Sequence, residues 1–275
     1  MECLRMHECE LCEKAIVCDL DKQLHNGWIK KTRLDLIKNF IVVNSNKGGL
    51  GATLFSIQMA TKFHNMGYKT ALLETSMSSS LPYYLATPTA SGLELTSDGI
   101  LPIVSKYGFM YLCPLLFMQN DPKVVNWDLD AIFNFTKKML INSNWGDIDV
   151  LILDVPLNQT ELIKNIRSFT DDKISSAVLF VDHKRYKTLQ TKMYINYVKE
   201  FARVGSVLFS PSKKKSKAPD ISIPDVDCPV YTLPYVDAVS FFETSSDTIT
   251  DSISGAYAGV VEEVVKRCLP TERSL

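Results

Sequence analysis

The sequence predicts an α/β fold in which a mostly parallel β-sheet carries helices on both faces. Two observations support this prediction: apolar runs of strand length alternate with segments of helical periodicity, and a glycine-rich loop follows the first apolar run. The chain has 275 residues, of which 46% are hydrophobic and 22% are charged, which is enough for the core of one large domain. We expect this domain to span residues 39–275, behind an N-terminal cysteine arm and linker over residues 1–38.

The first predicted element is a buried strand over Phe40–Val43, and it leads into a loop that contains Gly48, Gly49 and Gly51. A helical pattern begins at Thr53. A strand, a glycine loop and a helix N-terminus in this order can bind phosphate, because the glycines let backbone N–H groups approach the anion and the helix dipole attracts it. From this stretch alone, a glycine-rich turn without a ligand remains the alternative.

The loop departs from the P-loop motif G-x-x-x-x-G-K-[ST] at two positions. Asn46 stands in place of the first glycine, and Ala52 stands in place of the lysine. The candidate nucleotide-binding residues of the loop are Asn46, Lys47, Gly48, Gly49, Leu50, Gly51, Ala52 and Thr53.

The rest of the chain repeats the alternation of strand and helix. Apolar residues at helical spacing predict a helix over Thr53–Met66, which Gly67 ends, and a second strand follows over Tyr68–Leu73. Further predicted elements are a helix from Trp127 to about Asn142, a strand before Asp154, a strand over Ala177–Val181, a helix over residues 184–202, strands over Val207–Phe209 and Val230–Leu233, and a C-terminal helix over Ala256–Cys268.

The segment Trp145–Pro156 indicates a second site residue. Its apolar run is typical of a parallel strand that is buried on both faces, and it delivers the carboxylate of Asp154 to the carboxyl end of the strand. Ligands of α/β sheets bind at that end. We therefore expect Asp154 to hold a Mg2+-bound water beside the phosphates.

Four of the seven cysteines lie within the first 18 residues, as Cys3, Cys9, Cys12 and Cys18. Four thiolates on one short segment can surround a single metal centre, and both zinc and iron–sulfur clusters accept four such ligands. The spacing alone does not decide between them.

The composition argues for a cytoplasmic protein that binds neither nucleic acid nor membranes. The net charge is -1, no stretch has the roughly 20 apolar residues of a membrane span, and the N-terminus contains acidic residues where a targeting signal would be apolar or basic. The basic run over residues 213–217 is interpreted as a solvated loop. In the C-terminal helix, Glu262 and Glu263 argue against membrane attachment.

Three features together resemble the Mrp/Nbp-type iron–sulfur scaffold family, which belongs to the deviant P-loop NTPases. The features are Lys47 followed by Gly-Gly-x-Gly, the C-x2-C-x5-C spacing of Cys9, Cys12 and Cys18, and the phrase Trp145–Pro156. The resemblance covers about residues 40–240 and the cysteine arm. Cys3 lies closer to the other cysteines than the first cysteine of the family does.

The resemblance implies a cytosolic iron–sulfur cluster assembly factor. The arm cysteines would hold a 4Fe-4S cluster, the loop would bind ATP, and Thr53 and Asp154 would coordinate Mg2+ directly or through water. Lys47 would be the signature lysine that reaches the nucleotide across a dimer. The expected partners are a second copy of the chain or a related P-loop subunit, together with iron–sulfur apoproteins.

Several residues depart from the family pattern, and they weaken the expected chemistry. Ala52 lacks the phosphate-binding charge, Ser76 replaces an aspartate that would orient water, and Leu157 follows Pro156 where the family has proline and glycine. The bridging C-P-x-C motif is replaced by Ser210-Pro211-Ser212-Lys213. We expect slow ATP hydrolysis or none. A non-catalytic subunit that partners an active relative is the alternative, and a ParA/MinD-like positioning ATPase is a third, which the cysteine arm disfavours.

Overall fold

The computed structural model describes residues 34–85, 93–96, 99–117, 128–170, 173–182, 184–185, 187–210, 227–234 and 246–269. The strands are β1 (Ile37–Ser45), β2 (Thr70–Glu74), β3 (Glu94–Thr96), β4 (Gly99–Leu101), β5 (Ile103–Val104), β6 (Met110–Leu112), β7 (Ile148–Val155), β8 (Ile174–Asp182), β9 (Val204–Ser210) and β10 (Val230–Thr232). The helices are α1 (Ala52–Asn65), α2 (Leu81–Tyr84), α3 (Pro114–Phe117), α4 (Leu129–Asn142), α5 (Glu161–Phe169), α6 (Leu189–Lys199) and α7 (Ser246–Cys268).

Eight strands form one sheet in the order β10-β9-β8-β1-β7-β2-β6-β5. All neighbouring strands are parallel except β5 and β6, which are antiparallel. The short strands β3 and β4 pair separately as an antiparallel ribbon. The mostly parallel sheet that the sequence predicts is therefore confirmed.

The strand order places helices on both faces of the sheet. The chain moves in one direction from β1 to β2, and in the opposite direction from β7 to β8 and on to β9. Because such crossovers are right-handed, α1 lies on one face and α5 and α6 lie on the other. The carboxyl ends of the parallel strands share one edge of the sheet, where the loops after β1, β2, β7 and β8 meet.

The strand β1 lies at the centre of the sheet, between β7 and β8. Every residue from Phe40 to Ser45 is buried, as expected for a strand covered on both faces. The helix α1 follows directly and buries Phe55, whose ring contacts Phe180 of β8 edge-on at 5.5 Å between centroids. This packing fixes the start of α1 against the central strands.

The C-terminal helix α7 packs against α1. It buries an apolar stripe at helical spacing, which consists of Tyr257, Val261, Val264, Val265 and Cys268. Glu262 on its outer side lies 3.7 Å from Lys62 of α1. The predicted C-terminal helix is thus present, although it begins ten residues earlier than Ala256, at Ser246. Within the described ranges no helix is long and apolar enough to cross a membrane.

The predicted elements are present, with shifted ends. The helix α1 begins at Ala52 and ends at Asn65, and Gly67 follows with φ +89°, the left-handed conformation that ends helices. The strand β2 begins two residues later than predicted, and α6 is shorter than residues 184–202. Asp128 caps α4 by accepting a hydrogen bond from the amide of Ala131, so this helix begins after Trp127.

Candidate functional site

The loop between β1 and α1 presents a run of unpaired backbone amides. Apart from the turn at residues 48–49, the described part of the chain shows no backbone acceptor for the amides of residues 47–54. Gly49 and Gly51 have φ of +76° and +90°, a conformation that glycine adopts without strain. The loop and the first turn of α1 therefore form a concentration of N–H donors, which is the arrangement that binds phosphate groups.

Lys47 is held on the inner side of this loop. Its Nζ donates to Oδ2 of Asp182 at 3.0 Å, and Asp182 is the last residue of β8. Asn46 holds the same strand end, because its Oδ1 accepts from the amide of Asp182 at 3.0 Å and its Nδ2 contacts Thr191 Oγ1 at 3.3 Å. The two residues before the glycines are thus fixed to β8 and α6.

A pair of buried carboxylates lies on the other side of the loop. Glu74 ends β2 and is directly opposite Asp154 of β7 in the strand register. The two residues are 2% and 4% exposed, so their charges are shielded little by solvent. Burial, and secondly the neighbouring Asp154, raise the pKa of Glu74 to about 8. Burial raises the pKa of Asp154 to about 6, which an interaction with the Thr53 side chain opposes. The pair therefore retains one proton near neutral pH.

These residues fit a magnesium ion. Oδ2 of Asp154 is buried and has no hydrogen-bond partner, which is costly unless a ligand fills the position. The Thr53 side chain, at the start of α1, interacts with the same carboxylate. Mg2+ is commonly held by one or two carboxylates together with water and substrate phosphates. Asp154 and Thr53 would hold the ion, with Glu74 beside them.

The segments after β2 and β7 are joined by a buried hydrogen-bond network. The Thr75 hydroxyl lies 2.9 Å from Oε1 of Gln159, which accepts its hydrogen bond, and the Thr75 amide donates to the carbonyl of Asp154 at 3.0 Å. Glu74 accepts hydrogen bonds from the amides of Ser80 and Leu81. The loop after β2 is therefore anchored at both ends to the carboxylate pair.

Three positions at which the family resemblance leads us to expect catalytic groups carry other side chains. The hydroxyl of Ser76 lies 3.2 Å from that of Ser78, and a hydroxyl does not replace the expected aspartate as a proton acceptor. Leu157 begins a 3-10 turn over Leu157–Gln159 and its side chain is 45% exposed. Ala52 is the first residue of α1 and has no charge to offer a phosphate.

The predicted nucleotide-binding residues and Asp154 thus meet at one edge of the sheet. The predicted metal ligands Cys3, Cys9, Cys12 and Cys18 lie outside the described residues, as does the basic run over residues 213–217. Cys113 is buried in the core, and burial raises the pKa of its thiol to about 12. Among the described residues there is no group of three or more His, Cys, Asp or Glu side chains that could hold a metal ion.

Sequence reasoning missed Asp182 and Gln159 as neighbours of the site. Asp182 is the last residue of β8, one residue beyond the predicted end of this strand at Val181. It contacts the loop because β8 pairs with β1. The signal that could have found it was a carboxylate at the carboxyl end of a predicted parallel strand, the same signal that identified Asp154.

The solved structures with a similar fold include a nucleotide-binding protein and a cell division protein. A nucleotide-binding protein from Archaeoglobus fulgidus in complex with ADP superposes with a TM-score of 0.59, at 15% identity, over 89% of this chain and 94% of that chain. MinD from Aquifex aeolicus superposes with a TM-score of 0.54, at 14% identity, over 85% of this chain and all of that one. At these identities the likeness establishes the fold.

Sequence relatives are named after iron–sulfur cluster assembly. An iron-sulfur cluster carrier protein of Methanocaldococcus jannaschii is 26% identical over 200 residues, which are 70% of this chain and 67% of that protein. A cytosolic Fe-S cluster assembly factor, the Nubp2 homolog of Drosophila virilis, is 34% identical over 128 residues, which are 45% of this chain. The match spans 47% of the length of the Drosophila protein.

A family model described as ParA: NUBPL iron-transfer P-loop NTPase matches residues 36–198. The matched range runs from β1 to α6 and contains the glycine loop, Glu74, Asp154 and Asp182. It covers more than half of the chain, and it agrees with the resemblance to Mrp/Nbp-type proteins that the sequence motifs indicate. The chain therefore belongs to the NUBPL family of iron-transfer P-loop NTPases.

Proposed function

We propose that this protein is a cytosolic iron–sulfur cluster assembly factor that binds ATP at its glycine loop and carries a 4Fe-4S cluster on its N-terminal cysteines. The nucleotide part rests mainly on the amides of residues 47–54, most of which have no backbone acceptor, and on the nearby oxygen of Asp154 that has no hydrogen-bond partner. Family membership and the names of the relatives support the iron–sulfur part.

In this proposal the loop residues Asn46 to Thr53 enclose the phosphates. The amides of the loop and of the first turn of α1 donate to the phosphate oxygens. Thr53 and Asp154 hold Mg2+, which offsets phosphate charge when it is bound. The missing lysine at Ala52 weakens binding, because a charge-assisted contact of this kind contributes about 1.5–3 kcal/mol.

Hydrolysis is expected to be slow or absent. The transition state of phosphoryl transfer needs preorganised positive groups and a positioned water. Ala52 removes one positive group, and Ser76 and Leu157 stand where water-orienting residues are expected. Nucleotide would therefore act mainly by occupying the site.

The cluster is the cargo of the protein in this proposal, and Cys3, Cys9, Cys12 and Cys18 are its ligands. Apoproteins receive the cluster. The bridging motif is absent from this chain at Ser210–Lys213. A second copy of the chain or a related P-loop subunit would complete the assembly.

Anaerobic reconstitution tests the cluster assignment. Wild type should take up about four iron and four sulfide atoms per chain, and Cys12→Ala should lose the associated visible absorbance. Cys228→Ala is the matched control, because Cys228 is half-buried beside β10 and lies outside the arm. About one zinc per chain in place of iron would contradict the assignment.

ATP turnover separates this function from the alternative of a non-catalytic subunit. We expect ATP binding with very slow turnover by the purified protein, measured by phosphate release. Measurable turnover by the purified protein alone would rule out the non-catalytic subunit, whereas no turnover above that of a full-motif partner measured by itself would favour it. Binding of ATP without any cluster in the arm would favour the positioning ATPase.

A further inference from the structure

Lys47, the lysine that precedes the glycines of the loop, forms an ion pair with Asp182, a carboxylate of the same chain. The Lys47 side chain is 55% exposed, whereas that of Asp182 is only 5% exposed. Lys47 therefore begins at the surface of the loop and reaches inward to the end of β8. The distance of 3.0 Å is that of a direct charge-assisted hydrogen bond.

The surroundings of Asp182 stabilise its carboxylate in this position. Oδ1 accepts a hydrogen bond from the amide of Lys184 at 3.0 Å, so the two oxygens have separate partners. Asn46 accepts from the Asp182 amide and thereby fixes the backbone of the same residue. If Lys47 moved away, a largely buried carboxylate would lose this ion pair, which is unfavourable.

We propose that Asp182 is a positioning residue that retains Lys47 on the loop, so that Lys47 contacts a nucleotide phosphate only by exchanging one anion for another. This inference rests on the proposed nucleotide binding at the same loop. The exchange costs part of the affinity that Lys47 would otherwise contribute. Asp182 thereby lowers the affinity that Lys47 contributes to ATP binding, whether the ATP is bound by the same subunit or by a partner.

The substitution Asp182→Asn tests this role with little change of shape. The asparagine Oδ1 still accepts from the Lys184 amide, and Asn46 still contacts the backbone, but the amide nitrogen cannot accept from Lys47. We expect the affinity for MgATP, measured by calorimetry, to rise about 3- to 10-fold. Lys47→Met should lower the affinity, and in Lys47→Met the further change Asp182→Asn should produce no gain.

Two controls separate positioning from general charge effects. Asp147→Asn removes a similar ion pair, because Asp147 lies 3.2 Å from Lys69 before β7, at the sheet edge away from the loop. It should leave the affinity for MgATP unchanged. If Asp182→Asn raised the affinity for MgATP equally with and without Lys47, the proposal would be overturned. The gain would then come only from removing the repulsion between Asp182 and the phosphates. No gain from Asp182→Asn would overturn it as well.

A second measurement does not depend on nucleotide. The rate of acetylation of Lys47 by an amine-specific reagent, measured by mass spectrometry relative to Lys69, should rise severalfold in Asp182→Asn. If no variant binds ATP, the nucleotide part of the proposed function fails, and the acetylation ratio still decides whether Asp182 holds Lys47. An unchanged ratio would show that it does not.

Discussion

At the scale of single residues, Gly51 determines the backbone path from the loop into α1. Its φ of +90° is left-handed, and a Cβ at this position would meet only the Tyr257 hydroxyl, at 3.9 Å. The left-handed backbone conformation therefore favours glycine at this position. There is room for a larger side chain, so steric crowding is not the reason. Gly51 also accepts the first helical hydrogen bond, from the amide of Phe55.

We expect Gly51→Ala to destabilise the protein by about 1–2 kcal/mol, the cost of placing a Cβ in a left-handed conformation. Gly48→Ala is the matched control, because a Cβ there has nothing within 4 Å and Gly48 is not left-handed. Urea unfolding of both variants measures the difference. Equal stability of the two variants would contradict the assignment of strain to Gly51.

The carboxylate pair predicts a pH dependence of stability. Both pKa values are raised in the folded state, from 4.5 to about 8 for Glu74 and from 3.8 to about 6 for Asp154. The folded protein therefore binds more protons than the unfolded chain across this range. The resulting stabilisation is complete below the unfolded pKa values and is lost as the pH rises through about 8, with a slope of up to about 1.4 kcal/mol per pH unit for one proton.

Thermal unfolding without divalent cations, followed from pH 6 to pH 8, measures this slope. In Glu74→Gln most of the decline over this range should disappear, because residue 74 can no longer ionise and only the end of the Asp154 titration, near pH 6, remains. Asp149→Asn serves as control, since Lys38 holds the pKa of Asp149 below its usual value and this carboxylate is already ionised there. Persistence of the decline in Glu74→Gln would refute the assignment.

The sequence identified most of the candidate site but not its partners. Asn46 to Thr53 and Asp154 could be predicted because local patterns of glycine, strand and helix mark the carboxyl end of a parallel strand. The contact between Lys47 and Asp182 joins residues far apart in the chain. It depends on β8 lying beside β1, and strand order is not encoded in any local pattern.

At the scale of elements, α7 forms part of the support for α1. Its residue Val264 is fully buried, whereas Glu263 next to it has a side chain that is 50% exposed. The start of α1 carries the candidate site, so the packing of α7 at the far end of the chain contributes to the position of the loop. Tyr257 contributes to this link, because its ring centroid lies 6.3 Å from that of Phe55 of α1.

We expect Val264→Ala to destabilise the protein by about 2 kcal/mol, because two buried methyl groups are lost and a cavity remains. Glu263→Ala should change stability by less than about 0.5 kcal/mol, as surface substitutions usually do. Denaturant unfolding with an unchanged m-value checks both variants. Loss of stability only in Glu263→Ala would mean that α7 is packed in a different orientation.

Whether a segment is a helix or a strand could be predicted more reliably than the residues at which it begins and ends. Periodicity indicated α1, α4 and α7, but it could not show that Asp128 caps α4 or that α7 begins at Ser246. No element is predicted from the sequence over residues 99–117, where β4, β5 and β6 are only two or three residues long. Short strands contain too few residues to show a period.

At the scale of the whole molecule, we expect the cysteine arm and the nucleotide fold to be separable. The core of the described residues is apolar and continuous from β1 to α7, and the predicted cluster ligands lie before it in the chain. Cys9→Ser combined with Cys12→Ser should therefore abolish iron binding while the melting temperature of the metal-free protein stays within about 2 °C, as for surface substitutions. A large loss of melting temperature would mean that these cysteines pack against the fold.

The strand order has one more consequence for the molecule as a whole. Because β7 and β8 both border β1, the phosphate loop lies between the carboxylates of Asp154 and Asp182. Asp182 is paired with Lys47, so the carboxylate of Asp154 is the group that repels extra negative charge on an entering anion when no cation accompanies it. Chelation of magnesium with EDTA should accordingly reduce the affinity for ATP more than the affinity for ADP, and the protein would respond to free magnesium as well as to the adenylate pool.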